Sequence, residues 1–209
     1  MARDLENFLD LLLVKGENVG NKNLKLESIK EEWIHASEKI GGEFNFSEMI
    51  KANVNGPIYV FKICAFRDDI KIEIKFSIVD IAGRRIIKKP VEIFSVKNFR
   101  HKIELSTWQL DFFDKFFKKK RLKTGNPLFD NKIGVSCKNK LLSKELFSNA
   151  LVQGLFVENK VNFTVSVHDQ SSSIKLIVFD DMSQNSQKII RIYNTYLLIF
   201  DILSNYDMN

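Results

Sequence analysis

The plainest pattern in the chain is a strict alternation. Ile70, Ile72, Ile74, Phe76 and Ile78 fall on one side of an extended segment, and Lys71, Glu73, Lys75 and Ser77 on the other. A period of two predicts a strand with one buried and one wet face. Ile58–Phe66 precedes it across Arg67-Asp68-Asp69, a polar cluster that predicts a hairpin turn. Glu43–Phe46 predicts a short strand, and Ile86–Val96 a further one that Pro90 confines to a sheet edge or a bulge. A second hairpin is predicted from Val161–Val167 and Ile174–Phe179 around the polar turn His168–Ser173, with Lys132–Cys137 as a short strand before it.

Helical spacing marks the remaining elements. Leu5, Phe8, Leu9, Leu12 and Leu13 line one side of residues 2–14, and the Gly- and Asn-rich stretch Lys15–Asn23 reads as a linker. Ser28-Ile-Lys-Glu31 has the spacing of a capping box and predicts the start of a helix carrying Ile29, Trp33, Ala36 and Ile40, ended by Gly41-Gly42. Ser106-Thr-Trp-Gln109 has the same spacing and predicts a helix to about Lys120, with Trp108, Phe112, Phe113 and Phe116 as its stripe. Thr124–Asp130 reads as a loop, with Gly125-Asn126-Pro127 as a turn and Asp130 as its acceptor. Ser143 is the expected cap of the next helix, with Leu142 stapled against Phe147 and Gly154 as its end. The closing helix is expected over Ser183–Leu203, with Asp181 ahead of it as a capping acceptor.

Two stretches share this plan, about 28–96 and 132–205. Each has a helix, a glycine, a short extended piece (Leu155–Glu158 in the second) and a hairpin. Joined, they predict an α+β fold: one antiparallel sheet backed by helices, as two similar helix-plus-hairpin units in a two-layer domain. The expected organisation is a helix and linker over 1–20 and a single domain over 21–209. Trp33-Ile-His-Ala-Ser-Glu-Lys-Ile-Gly-Gly42 followed by Glu43-Phe44, and Gly125-Asn-Pro-Leu-Phe-Asp130 ahead of a strand–helix–hairpin–helix tail, resemble a bacterial domain family of unknown function. The match spans about residues 28–205. In this chain Ala36 stands one place early and Asn126 replaces an expected Asp. The resemblance implies architecture and no activity.

Composition adds a compartment. Two cysteines in 209 residues build no disulfide scaffold. Asp4 and Glu6 stand where a signal peptide would be basic, Ala2 does not accept myristate, and no stretch approaches the length of a membrane-spanning helix. The expected home is the cytoplasm.

Catalytic chemistry finds few anchors. His35, His101 and His168 are scattered, no Gly-x-Ser-x-Gly elbow or phosphate-binding loop is present, and Cys64 and Cys137 lie in strand patterns. Asp68-Asp69 and Asp180-Asp181 are adjacent pairs whose side chains diverge in extended backbone. No catalytic residue, metal ligand or cofactor is expected from these patterns.

Charge is the remaining signal. The net charge is +6, and Ala82–Lys123 alone carries thirteen basic against four acidic residues, +9. The anion-binding candidates are Arg84, Arg85, Lys88, Lys89, Arg100, Lys102, Lys118, Lys119, Lys120, Arg121 and Lys123. Clustered cations beside Phe112, Phe113, Phe116 and Phe117 suit nucleic acid or an anionic lipid surface. The chain is also rich in Lys, Ile, Asn and Phe together, a compositional bias that supplies lysines without selection for phosphate. The leading expectation is a non-catalytic binding or accessory protein with a protein partner, with self-association through the N-terminal helix as one route. Anion binding through residues 84–123 is the alternative, and a hydrolase-like enzyme without a recognisable motif the third.

Overall fold

The computed structural model describes residues 22–50, 56–81, 85–111, 122–168 and 171–208. The elements run α1 (Lys22–Ile40), β1 (Glu43–Ile50), β2 (Pro57–Arg67), β3 (Ile70–Ile81), β4 (Arg85–Lys88), β5 (Val91–Lys97), β6 (Leu105–Gln109), α2 (Pro127–Asp130), β7 (Ile133–Cys137), α3 (Lys140–Ser148), α4 (Ala150–Glu158), β8 (Val161–His168), β9 (Ser171–Val178) and α5 (Ser186–Met208). This is an α+β fold in which one nine-stranded antiparallel sheet is backed by helices, with strand order β1-β2-β3-β5-β9-β8-β6-β7 and β4 paired to β3. The predicted helix over 2–14, and the Phe112, Phe113, Phe116 and Phe117 positions, lie outside the described residues.

The β2–β3 hairpin follows the alternation. Ile72, Ile74, Phe76 and Ile78 are buried, and Arg67 faces Ile70 across a two-residue turn. Asp68 (φ 48°) and Asp69 (φ 63°) are both left-handed, the combination that matches the twist of a tight hairpin. Gly41 and Gly42 close α1 as expected. Gly41 has φ 72°, its N–H donates to Glu38 O, and the Gly42 N–H donates to Ser37 O at 2.9 Å. The chain then turns tightly onto the sheet, since a Cβ on Gly42 would lie 2.8 Å from Ile63 Cγ2.

Several sequence expectations are corrected. α1 begins at Lys22, so Ser28-Ile-Lys-Glu31 lies inside the helix rather than at its start. A capping-box spacing marks a start only where the backbone before it is extended. Ser106-Thr-Trp-Gln109 opens no helix: it forms most of β6, with Leu105 and Thr107 buried. Thr and Trp suit a pleated surface, and pairing with β7 and β8 decides the conformation. Ser143 is buried in the middle of α3, whose cap is Asn139, accepting from Leu142 N at 3.0 Å. Leu142 is therefore inside the first turn and does not precede the cap. Gly154 does not end a helix either. It sits within α4, which is capped by Asn149 and makes Leu155–Glu158 helical, so the second unit has no counterpart of β1.

The 124–130 loop contains α2, with Pro127 at its first position and Asn126 accepting from Leu128 N and Phe129 N. Asp130 is the expected turn acceptor, taking the Thr124 N–H, the Thr124 hydroxyl and the Gly125 N–H. α5 starts at Ser186, three residues later than expected. Asn185 accepts from Lys188 N as its cap, while Asp181 instead takes the N–H and hydroxyl of Ser183 and pairs with Lys88. Pro90 does make a bulge: Ile78 faces Lys88 while Lys75 faces Glu92, so the three residues Lys89, Pro90 and Val91 oppose the two residues Phe76 and Ser77. It does not make an edge, because β5 is flanked by β3 and β9.

The core lies between the sheet and the helices. Trp33 of α1 stacks on Phe76 (5.8 Å) and tilts against Phe61, while Phe129, Phe147 and Phe156 of α2, α3 and α4 form a second aromatic group. Tyr196 of α5 ties the layers: its hydroxyl lies 2.6 Å from Ser95 Oγ and donates to Ile174 O at 3.1 Å. Burial pushes that phenol well above its ordinary pKa, so it remains a donor. The helices occupy one face. The opposite face carries Lys62, Glu73, Lys75, Phe94 and Lys175, whose register partners and burial place them opposite the core.

Candidate functional site

The basic segment is not one surface. Lys88 of β4 pairs with Asp181 at 2.5 Å, and burial of Asp181, which opposes its charge, is outweighed by Lys88 and Ser183, leaving that carboxyl below its ordinary pKa. Arg85 sits at the start of β4 opposite Ile81, and Lys89 is half-buried in the bulge. Arg100 and Lys102 are exposed on the segment entering β6, and Lys123 is exposed ahead of α2. Arg84, Lys118, Lys119, Lys120 and Arg121 lie outside the described residues. Neither Arg100 nor Lys102 has a carboxylate within salt-bridge distance among the described residues, although Lys102 lies close enough to Glu104 to lower its pKa.

The open face of the sheet has an ordered composition. One cross-strand row runs Ser136, Ser106, Thr164, Lys175, Phe94, Glu73, Cys64, Glu43, each residue facing the next. Towards β2 and β5 the row meets an apolar patch. Phe66 (68% exposed) faces Lys71, and Phe94 (36%) faces Glu73, so the two rings flank the Lys71–Glu73 ion pair of 2.6 Å. Val96, 46% exposed, is two residues beyond Phe94 on the same face. Glu73 also pairs with Lys62 at 2.8 Å, and these hydrogen bonds from Lys62 and Lys71 hold its carboxyl below the ordinary range.

At the other end the row enters a cleft. β6 pairs with β8 only at Leu105 and Ser106, and the sheet opens beside that short junction into a cavity of about 370 Å³. Ser106, Ser136, Thr164 and Ser166 supply four hydroxyls to it, and Glu104 and Lys138 stand at its rim. Among the described residues no side chain or main-chain group hydrogen-bonds these hydroxyls. Lys138 donates to Glu104 at 2.6 Å, and this bond, with Lys102 adding to it, lowers the Glu104 pKa. Cys137 points elsewhere: burial raises its pKa and its thiol donates to Asn139 O, which leaves it a poor nucleophile.

Of the anion-binding candidates read from the sequence, only Lys102 among the described residues acts on a residue of this cleft, the Glu104 carboxylate. Ser106 has the sequence spacing of a helix cap, and Ser136, Lys138, Thr164 and Ser166 belong to no motif. Their signal was the polar side of period-two segments, which by itself marks only a wet face. His35, His101 and His168 remain apart, on α1, on the segment before β6, and at the end of β8. No three His, Cys, Asp or Glu side chains among the described residues group as metal ligands. No described helix is long and apolar enough to cross a membrane. The chain matches no family profile, no curated protein and no solved structure.

Proposed function

We propose that this is a non-catalytic binding protein that engages a polypeptide partner across the open face of its sheet. The observation that carries this reading is the group Phe66, Phe94 and Val96, three large apolar side chains exposed together on a regular sheet surface. Single exposed hydrophobics are ordinary, whereas a clustered group on a rigid element is a contact surface. Across β2, β3, β5 and β9 that face carries Lys62, Lys71, Lys75 and Lys175 against Glu73 and Glu92, so an apolar segment with acidic flanks fits it. The test is affinity capture by the full chain and by the Phe66→Lys, Phe94→Lys variant. Surface changes of this kind alter stability by roughly 0.5 kcal/mol or less each, so both proteins should melt alike. A partner retained by the parent and lost by the variant is expected. The same set of proteins retained by both overturns the reading.

A further inference from the structure

We propose that the cleft between β6, β7 and β8 binds a small phosphate-class oxyanion, held by the hydroxyls of Ser106, Ser136, Thr164 and Ser166 and by Lys138. The site is separate from the Phe66–Phe94 patch, and the proposal does not rest on the partner reading. Three observations converge. First, the cavity of about 370 Å³ falls in the size range of small-ligand sites. Second, four hydroxyls from three strands enter it with no hydrogen-bond partner among the described residues. The ladder fixes the Cα–Cβ directions of these residues, so a ligand has only their side-chain rotations to order. Third, a cation stands at the rim: Lys138 pairs with Glu104 at 2.6 Å and is 85% exposed, so its ammonium can turn from that carboxylate to a bound anion.

The chemistry selects a tetrahedral oxyanion. Its oxygens accept from several hydroxyls at once, and Lys138 exchanges an exposed carboxylate for a ligand carrying more charge. Glu104 then becomes a competitor for Lys138, which gives the proposal a signature that a merely structural ion pair lacks. Neutralising Glu104 frees the lysine and tightens the site, while removing the lysine weakens it.

The experiment is an amide-resolved NMR titration of the full chain with inorganic phosphate and with glycerol phosphate at constant ionic strength. A parallel arm uses phosphatidylcholine vesicles with and without phosphatidic acid. Saturable shifts at Ser106, Ser136, Lys138, Thr164 and Ser166 are expected. Lys138→Met and the isosteric Thr164→Val should each weaken binding about tenfold, and Glu104→Gln should strengthen it several-fold. Binding of the soluble phosphates identifies a free ligand. Binding confined to phosphatidic acid vesicles, and lost in Thr164→Val, identifies a lipid headgroup. Absence of saturable shifts at these amides in every arm overturns the proposal, as does equal titration of all variants, which would place the ion on the basic surface. Thr164→Val and Glu104→Gln preserve side-chain shape, so unchanged spectra elsewhere separate lost binding from lost folding.

Discussion

Gly134 shows how one missing side chain fixes its neighbour. It faces Trp108 across the β6–β7 ladder, and a Cβ there would lie 2.3 Å from Trp108 Cε2. The indole therefore lies flat over the glycine. Gly134→Ala must displace the ring, an overpacking change that should cost about 1–3 kcal/mol. Chemical denaturation with Trp emission checks this: the midpoint should fall and the emission should shift red, since the second tryptophan, Trp33, is fully buried elsewhere. An unchanged midpoint would mean the ring yields freely. The same strand shows how a helix-cap spacing can sit in extended backbone. The Ser106-to-Gln109 spacing imitates a helix cap, while the inward pair Leu105 and Thr107 is too short a run to announce a strand before the partner strands are known. The strand was legible only in its partners.

At the scale of elements, the hairpins were legible because their information is local. The alternation of β3 and the turn at Asp68-Asp69 sit within a few residues of one another, and the register follows from the turn length. Aspartate tolerates the left-handed conformation, but glycine adopts it without steric cost. Relief of the left-handed strain, roughly 1–2 kcal/mol, exceeds the entropy cost of glycine, about 0.5–1 kcal/mol, so Asp69→Gly should stabilise the fold, with no change in ligand or partner binding. A thermal melt checks it, and a lower melting temperature would show that the carboxylate, not the backbone, holds this turn. Pro90 is the partial case. Its missing N–H ruled out a continuous ladder, and the bulge between β4 and β5 is the result. Its central location escaped the sequence because Val91–Lys97 lies beyond the proline and keeps its donors free to pair with β9. The caps were the least legible feature. Asn139, Asn149 and Asn185 each cap a helix, but in an Asn-rich chain only the backbone, extended at Asn139 and Asn149, and the bonds their side chains accept distinguish a cap from any other asparagine.

Across the whole molecule, α5 joins what the sequence left apart. Its start receives Glu32 of α1, whose carboxylate accepts the Ser186 N–H at 2.7 Å and is held below its ordinary pKa by the Ser186 side chain first and then by that N–H. Its middle anchors β5 and β9 through Tyr196. Its end anchors the segment entering β6, because Asp207 accepts the His101 N–H at 2.8 Å and faces the His101 ring. The cleft depends on this assembly: Ser106 and Thr164 are 58 residues apart and meet only once β6 docks on β8. No local pattern encodes such a meeting, which is why the hydroxyl group was invisible in the sequence. Asp207 gives the assembly an acid limit. Its burial opposes charge, but the Arg100 and His101 N–H groups outweigh that and hold the carboxyl below its ordinary 3.8. A carboxyl whose pKa is depressed by folding adds stability above the unfolded value, and that increment disappears as pH falls through the folded value. Asp207→Asn keeps an oxygen acceptor and removes the charge, so it should destabilise the protein at neutral pH by about 1–2 kcal/mol. Urea melts between about pH 5 and pH 2.5 should show the gap between parent and variant closing, because protonation makes the two side chains alike. A gap that stays constant across that range would mean the contact acts through shape alone. A gap that closes would make the Asp207 charge the clamp that holds the entrance of β6, and with it the cleft, against the last helix.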